Sequence, residues 1–242
     1  WRNASKWTRA GDMSVALICA RKNSKGIINK NLQLLDGKPL IVHSVNCALA
    51  TELVKQVIVS TDCPIIAETA VNAGAIVPFL RPTELALDET PEWLVWRHAI
   101  DNFINDQTLP MVVLPPTGPL RTVDDVNRAI NLFMEEECDI VITSTKAHRN
   151  PMFNMVSVNA DGTVSVAKPP TEPIFRRQDA PEFFDITTNC YVVDQTFVMT
   201  NKSLFDGKVR QVVVAPETAV DIDTQLDLLW AEFLLAHQDD NI

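Results

Sequence analysis

Val15 to Cys19 (VALIC) is an apolar, β-branched run that passes directly into Ala20-Arg21-Lys22-Asn23-Ser24-Lys25-Gly26-Ile27-Ile28-Asn29-Lys30-Asn31. The run has the length and composition of a buried strand. Between Arg21 and Asn31 there are four cations and no acid, in a chain whose formal charge is −10. Local cations add nothing to the solubility of so acidic a chain, so they point to a bound anion with several negative charges. Ser24, Gly26 and Asn31 are small groups that let backbone N–H donors approach phosphate oxygens closely. The spacing is neither G-x-x-x-x-G-K-[ST] nor G-x-G-x-x-G, so phosphate contact here leans on side chains as much as on backbone. A nucleoside triphosphate is the first candidate, and a solvated basic loop is the alternative that the stretch alone leaves open.

Outward from this loop, short apolar runs recur at Gln56 to Ser60, Met111 to Leu114, Ile140 to Thr143, Tyr191 to Val193 and Gln211 to Val214. Helical patterns fill the intervals: Leu40 to Ala50, Pro64 to Ala73, Glu92 to Asn105, Asp124 to Glu136 and Thr224 to Ala236. That alternation predicts a βαβ architecture around a mostly parallel, buried sheet. Thr122 and Asp125 have capping-box spacing, and Pro91 suits a first helical turn. Residues 151–185 break the rhythm. They alternate like a hairpin across Asn159-Ala160-Asp161-Gly162, then become irregular and rich in Pro and charge, which predicts a small inserted lobe.

A length of 242 residues with 46% hydrophobic and 21% charged residues fits one α/β domain. The excess of acids argues against nucleic-acid and membrane-surface binding, since both need a basic face. No apolar run approaches a membrane span of roughly 18 residues. Five scattered cysteines (Cys19, Cys47, Cys63, Cys138, Cys190) lack metal-ligand or disulfide-framework spacing and predict a reducing cytoplasm. Residues 1–12 read as a polar and basic, non-native leader ahead of a natural start at Met13.

Further candidates lie where other strands end. Asp221 and Asp223 flank Ile222 just before the last helix, and carboxylates at i and i+2 of an extended segment face one side, which suits a shared Mg²⁺. Alternatively Asp223 caps that helix. Asp62 reads as a helix cap. Arg81, followed by Pro82, is placed to fork onto a base or phosphate edge. Leu114-Pro115-Pro116-Thr117-Gly118-Pro119-Leu120-Arg121 makes a stiff loop that loses little entropy on closing over a ligand. Arg176-Arg177-Gln178 offers a carboxylate-binding pair. The four histidines have no metal spacing, and no nucleophile motif is present.

In this order and spacing, the segments resemble the acylneuraminate cytidylyltransferases, the CMP-sialic acid synthetases. The resemblance runs from about Val15 to Leu235 and rests on Ala20 to Gly26 with Lys30-Asn31, Val59-Ser60-Thr61-Asp62, Leu80-Arg81-Pro82-Thr83-Glu84-Leu85-Ala86, Pro116-Thr117 with Pro119-Leu120-Arg121, and Asp221-Ile222-Asp223-Thr224. It implies a Rossmann-like α/β/α sandwich of the nucleotidyltransferase type, a homodimer joined through the inserted lobe, and transfer of CMP from CTP to the anomeric hydroxyl of an acidic nine-carbon 2-keto sugar. By resemblance, Arg21, Ser24, Lys25, Lys30 and Asn31 hold CTP, with Arg81 near the cytidine. Arg21, Lys25, Asp221 and Asp223 carry the chemistry, and the two aspartates hold Mg²⁺. The sugar side falls to Pro115, Thr117 and Thr187, with Arg177 and Gln178 reaching a neighbour's site.

Three departures fall on the sugar side. The family's Gln before Pro-Thr is Pro115 here, its following Ser is Gly118, and its Asn-Gly-Ala-Ile-Tyr is Thr187-Thr188-Asn189-Cys190-Tyr191. Proline offers no side-chain hydrogen bond, so a different nonulosonate, such as legionaminic, pseudaminic or deaminated neuraminic acid, is expected to be accommodated. A Kdo-type cytidylyltransferase and a non-catalytic nucleotide-binding homologue are the competing expectations.

Overall fold

The structure, a computed structural model, describes residues 14–104 and 108–237. The expected leader, residues 1–12 with the start at Met13, lies outside the described residues, as does Asn105, where the third helix was expected to end.

Strands β1 (Ser14–Cys19), β4 (Val54–Ser60), β5 (Met111–Val113), β6 (Ile140–Lys146), β9 (Phe184–Val193) and β10 (Val209–Val213) form one sheet in the order β10-β6-β9-β5-β1-β4. β1 pairs in parallel with β4 and β5, and β10 in parallel with β6. β9 runs antiparallel to both β5 and β6. All strands but β9 therefore point the same way, and the loops after β1, β4, β5, β6 and β10 emerge at one edge, where open α/β sheets bind ligands. The sheet is the mostly parallel one expected. The run expected at Tyr191 to Val193 is the end of a ten-residue strand, whose register shifts against β6 between Ile142 and Ser144.

Helices cover both faces. Ile41 and Val45 of α1 (Leu40–Ala50), Ile66 of α2 (Pro64–Asn72) and Val126, Ile130 and Phe133 of α4 (Val123–Glu135) pack on one face against Ala16, Ile18, Val59 and Val112. Trp96 and Ile100 of α3 (Glu92–Asn102) and Val198 of α5 (Gln195–Thr200) pack on the other, against Leu17, Ile58, Val113 and Val193. Fully burying each such side chain contributes about 1.5–3 kcal/mol. The Thr122–Asp125 capping box forms as expected and starts α4. A third apolar cluster joins α6 (Gln225–Ala236) to Ile27, Leu35, Leu120 and Ile222.

A short hairpin of β2 (Leu34–Leu35) and β3 (Lys38–Pro39) turns at Asp36-Gly37, both at positive φ. The expected hairpin in residues 151–185 forms from β7 (Val156–Val158) and β8 (Val164–Val166), with Gly162 at φ +83°. Its strands are exposed on both faces.

Candidate active site at the strand ends

The loop after β1 is fixed before any ligand arrives. The amide of Ala20 donates to Ser60 O, and the amide of Lys22 donates to Asp62 Oδ1 at 2.8 Å. Asp62 thus ties the cationic loop and does not cap α2, whose N-cap is Cys63. Farther along, Asn29 takes a left-handed conformation, which asparagine tolerates, and starts a single 3-10 turn at Lys30–Leu32. The buried Asn31 side chain donates back to Arg21 O at 2.9 Å. Asn31 therefore shapes the loop through its amide.

The cations of this loop meet carboxylates from two distant segments. Lys30 Nζ lies 2.8 Å from Asp223 Oδ1. Arg21 Nη1 is 2.5 Å from Asp88 Oδ1, and Lys25 Nζ is 3.5 Å from Asp88 Oδ2. Burial raises the Asp88 carboxyl, but the Arg21 hydrogen bond and the charges of Lys25 and Arg21 outweigh it and hold the group below the usual carboxylate range.

Ile222 is fully buried, and its amide donates to Thr117 O at 2.8 Å, so the segment Asp221-Ile222-Asp223 is pinned by its centre. α6 is capped by Thr224 with Asp227, which leaves Asp223 free of capping duty. Asp221 Oδ1 accepts from Thr188 Oγ1 at 3.1 Å. Burial raises its carboxyl, a hydrogen bond from Thr117 opposes this, and the Asp223 charge raises it further. The two carboxylates and the Thr188 hydroxyl are oxygen donors of the kind a hard divalent cation takes while it keeps most of its waters, with the Lys30 ammonium already on Asp223. Among the described residues no group of three or more His, Cys, Asp and Glu side chains is arranged to hold a metal. A cation here would therefore need ligand oxygens from a substrate.

Arg21, Ser24, Lys25, Lys30, Asn31, Arg81, Pro115, Thr117 and Asp223 all line one cavity of about 400 Å³. Asp221 is not among the lining residues and is joined to the cavity through Thr188. The buried Arg81 donates from Nη2 to Ser60 O and from Nη1 to Leu85 O, and its Nε has no partner. Three expected sugar-side residues lie elsewhere. Thr187 is buried, with Oγ1 donating to Thr143 Oγ1 at 2.8 Å. Arg177 and Gln178 line a separate cleft with Lys146, Arg149, Asn150 and Phe183, and Arg177 donates to His148 O.

Asp88, Glu92, Thr188 and Tyr191, to which the sequence assigned no role, also line the cavity. Asp88 and Glu92 carried a signal, as acids placed seven and eleven residues beyond Arg81. Arg121 stood in the Pro119-Leu120-Arg121 segment without a role, and the fold shows it buried with Nη1 on Ser44 Oγ at 2.7 Å and Nη2 on the Pro115 and Thr188 carbonyls.

Comparison with known proteins agrees with this geometry. The model of the family described as Cytidylyltransferase matches residues 15–197. "CMP-N,N'-diacetyllegionaminic acid synthase" of Campylobacter jejuni is 32% identical over 222 residues, covering 90% of this chain and 93% of that protein. "Post-translational flagellin modification protein B" of Campylobacter coli is 32% identical over 221 residues, with the same coverage. The solved CMP:2-keto-3-deoxy-manno-octonic acid synthetase, complexed with CTP, superposes with a TM-score of 0.69 at 17% identity, covering 93% of this chain and 99% of that one, a likeness of fold. The chain belongs to the cytidylyltransferase family and is a nucleotidyltransferase.

Proposed function

We propose that this protein transfers CMP from CTP to the anomeric hydroxyl of a nine-carbon 2-keto acid sugar of the nonulosonate class, releasing pyrophosphate. The observation that carries the reading is the meeting of Arg21, Lys25, Lys30 and Asp223 in one cavity that Pro115 to Thr117 also line. Arg21 and Lys25 bind the β- and γ-phosphates, and their charge disperses what builds up on the leaving pyrophosphate. Lys30 and the backbone beside Gly26 orient the α-phosphate, and Ser24 offers a further hydrogen bond. Asp221 and Asp223 would hold Mg²⁺, which when bound neutralises phosphate oxygens and aligns them for attack. The sugar oxygen forms a bond to the α-phosphorus, the bond to the β-phosphate oxygen breaks, and the hydroxyl proton passes to water.

The nonulosonate assignment draws on the two Campylobacter relatives, one of them named as a legionaminic acid synthase. Pro115 in place of an amide side chain favours a member other than N-acetylneuraminic acid. The exposed Val158, Val164 and Phe175 of the lobe support a homodimer, in which Arg177 and Gln178 approach the sugar end of the neighbouring cavity. All five cysteines are free, and no described helix is long and apolar enough to cross a membrane, which supports action in the cytoplasm. A panel of nonulosonates assayed for CTP-dependent pyrophosphate release tests the acceptor class. Turnover of a legionaminic or pseudaminic acid is expected to exceed that of N-acetylneuraminic acid. Turnover confined to the eight-carbon acid Kdo would overturn the assignment.

A further inference from the structure

α6 is apolar almost all round, as a helix buried on every side would be, yet it lies at the surface. Leu228 and Ala231 face inward with Leu234 and Leu235, in the cluster that holds Ile222. Leu226, Leu229, Trp230 and Phe233 follow the i, i+3, i+4, i+7 spacing of a single stripe on the opposite face. All four are exposed, Leu226 by 73%. Trp230 stacks on Phe233 with ring centroids 5.4 Å apart, and Phe233 stacks on His237 at 4.1 Å, which joins the aromatic rings into one surface. The two acids of the helix, Asp227 and Glu232, lie to either side of the stripe and not in it.

The lobe has a complementary need. β7 and β8 pair Val156 with Val166 and Val158 with Val164, which puts four valines on one face and Ser157 with Ser165 on the other. The two serine hydroxyls meet at 3.3 Å. On the valine face Val158 is 74% exposed, and Val156 and Val164 are exposed as well. A two-stranded hairpin standing alone in water is marginal, and a helix packed on its apolar face is one of the few things that stabilise it. One chain thus holds a helix face and a hairpin face that each want what the other offers, and leaves both open.

Resting on the homodimer reading above, we propose that the valine face of each hairpin packs on the α6 stripe of a second copy, so that a two-fold dimer makes the contact twice. Scaled by exposure, the stripe and the valine face come to roughly 400 and 300 Å². Neither alone reaches the roughly 800 Å² per partner of a standard stable interface. Together with Phe175, which is 84% exposed, they do. One symmetry operation covers both faces of both copies. A lipid surface is the poorer match, because interfacial helices carry Lys and Arg on their polar face and α6 has neither. The pairing also sets the second copy's lobe on the helix whose N-cap, Thr224, directly follows Asp223 of the cavity.

The test is complementation between two variants, read as mass by light scattering, with thermal unfolding as the check on folding. Leu229→Glu with Trp230→Glu charges the stripe, and Val158→Lys with Val164→Lys charges the hairpin. All four positions are exposed, so the unfolding midpoints are expected to stay close to wild type. Each variant alone is expected to show half the wild-type mass. Mixed in equal amounts, the two are expected to regain it, because the mixed pair keeps one native contact and sets Glu against Lys in the other. Pairing of α6 with α6 and hairpin with hairpin would leave both contacts damaged and the mixture monomeric. That result, or a stripe variant that keeps the wild-type mass as another occupant would allow, overturns this proposal alone. A benzophenone side chain at position 230, photo-activated in a mixture of isotopically heavy and light protein, gives a reading that needs no charged variant. Adducts to residues 156–166 of the other isotope are expected, and adducts only elsewhere overturn the proposal. A wild-type protein that is itself monomeric overturns the homodimer reading, and this proposal with it.

Discussion

Gly26 packs against the backbone carbonyl of Asp223 so closely that a Cβ at position 26 would lie 2.0 Å from that oxygen. The contact joins the loop after β1 to the acidic segment after β10, almost two hundred residues later in the chain. Lys30 and Asp223 reinforce it with their ion pair. The cations of the loop and the candidate metal carboxylates are therefore one unit, and displacing either displaces both.

Gly26→Ala forces that unit apart, because a backbone oxygen cannot swing aside as a side chain can. The expected outcome is a fall in kcat/KM of about a hundredfold, with a loss of about 1–3 kcal/mol in stability by denaturant titration.

Asp221→Asn and Asp223→Asn each remove one negative charge from the proposed metal site. Each is expected to lower kcat by about a hundredfold, with CTP affinity in the absence of Mg²⁺ unchanged or improved. Steady-state kinetics across a Mg²⁺ titration measure this. An Asp221→Asn enzyme with intact turnover contradicts the metal assignment.

Asp88 engages Arg21 and Lys25, the two cations proposed to bind the β- and γ-phosphates. Asp88→Asn releases them, so the KM for CTP is expected to fall between about twofold and fivefold, an effect that shrinks in high salt. Because the Asp88 carboxyl is held below the usual range, the clamp is present at neutral pH and opens only as pH falls through that lowered value. The advantage of the Asn variant should therefore fade in acid.

Arg121 is buried under the Pro115 loop, and burial pushes its pKa down, with nearby charges such as Asp125 and Asp221 opposing. It makes hydrogen bonds to Ser44 and to the carbonyls of Pro115 and Thr188. Arg121→Ala leaves those carbonyls without their donor and is expected to cost about 2–4 kcal/mol in urea unfolding.

The lobe carries the assembly prediction. Val158→Asp with Val164→Asp places charge on an exposed apolar hairpin, so light scattering is expected to report half the wild-type mass with little change in the unfolding midpoint.

Much of this architecture was legible in the chain because period and punctuation both survive in sequence. α1 begins and ends at the expected residues, and the other four expected helices shift by one residue at most at their starts. β9 was read short because Asp185, Thr187 and Asn189 interrupt the apolar signal over its first half, where the strand is partly exposed and bulged. The β2–β3 hairpin was missed although Asp36-Gly37 is a strong turn pair, since two-residue strands leave no periodicity to count. At the site, local composition revealed the cationic loop and the paired aspartates. What it did not reveal was partnership across long separations: Asp88 with Arg21, Asp62 with the Lys22 amide, and Glu92 with Cys19 in the cavity wall. Each of these acids resembles an ordinary surface or capping residue until the sheet brings the strand ends together.

The most direct test of the nonulosonate cytidylyltransferase account is a single incubation of the folded wild-type protein with CTP, Mg²⁺ and a nonulosonate panel, analysed by mass spectrometry and phosphorus NMR. The account expects a CMP-sugar phosphodiester formed one-for-one with pyrophosphate, dependent on Mg²⁺ and abolished by Asp221→Asn. CTP that remains intact with every member of the panel, in protein shown to bind it, would contradict the account.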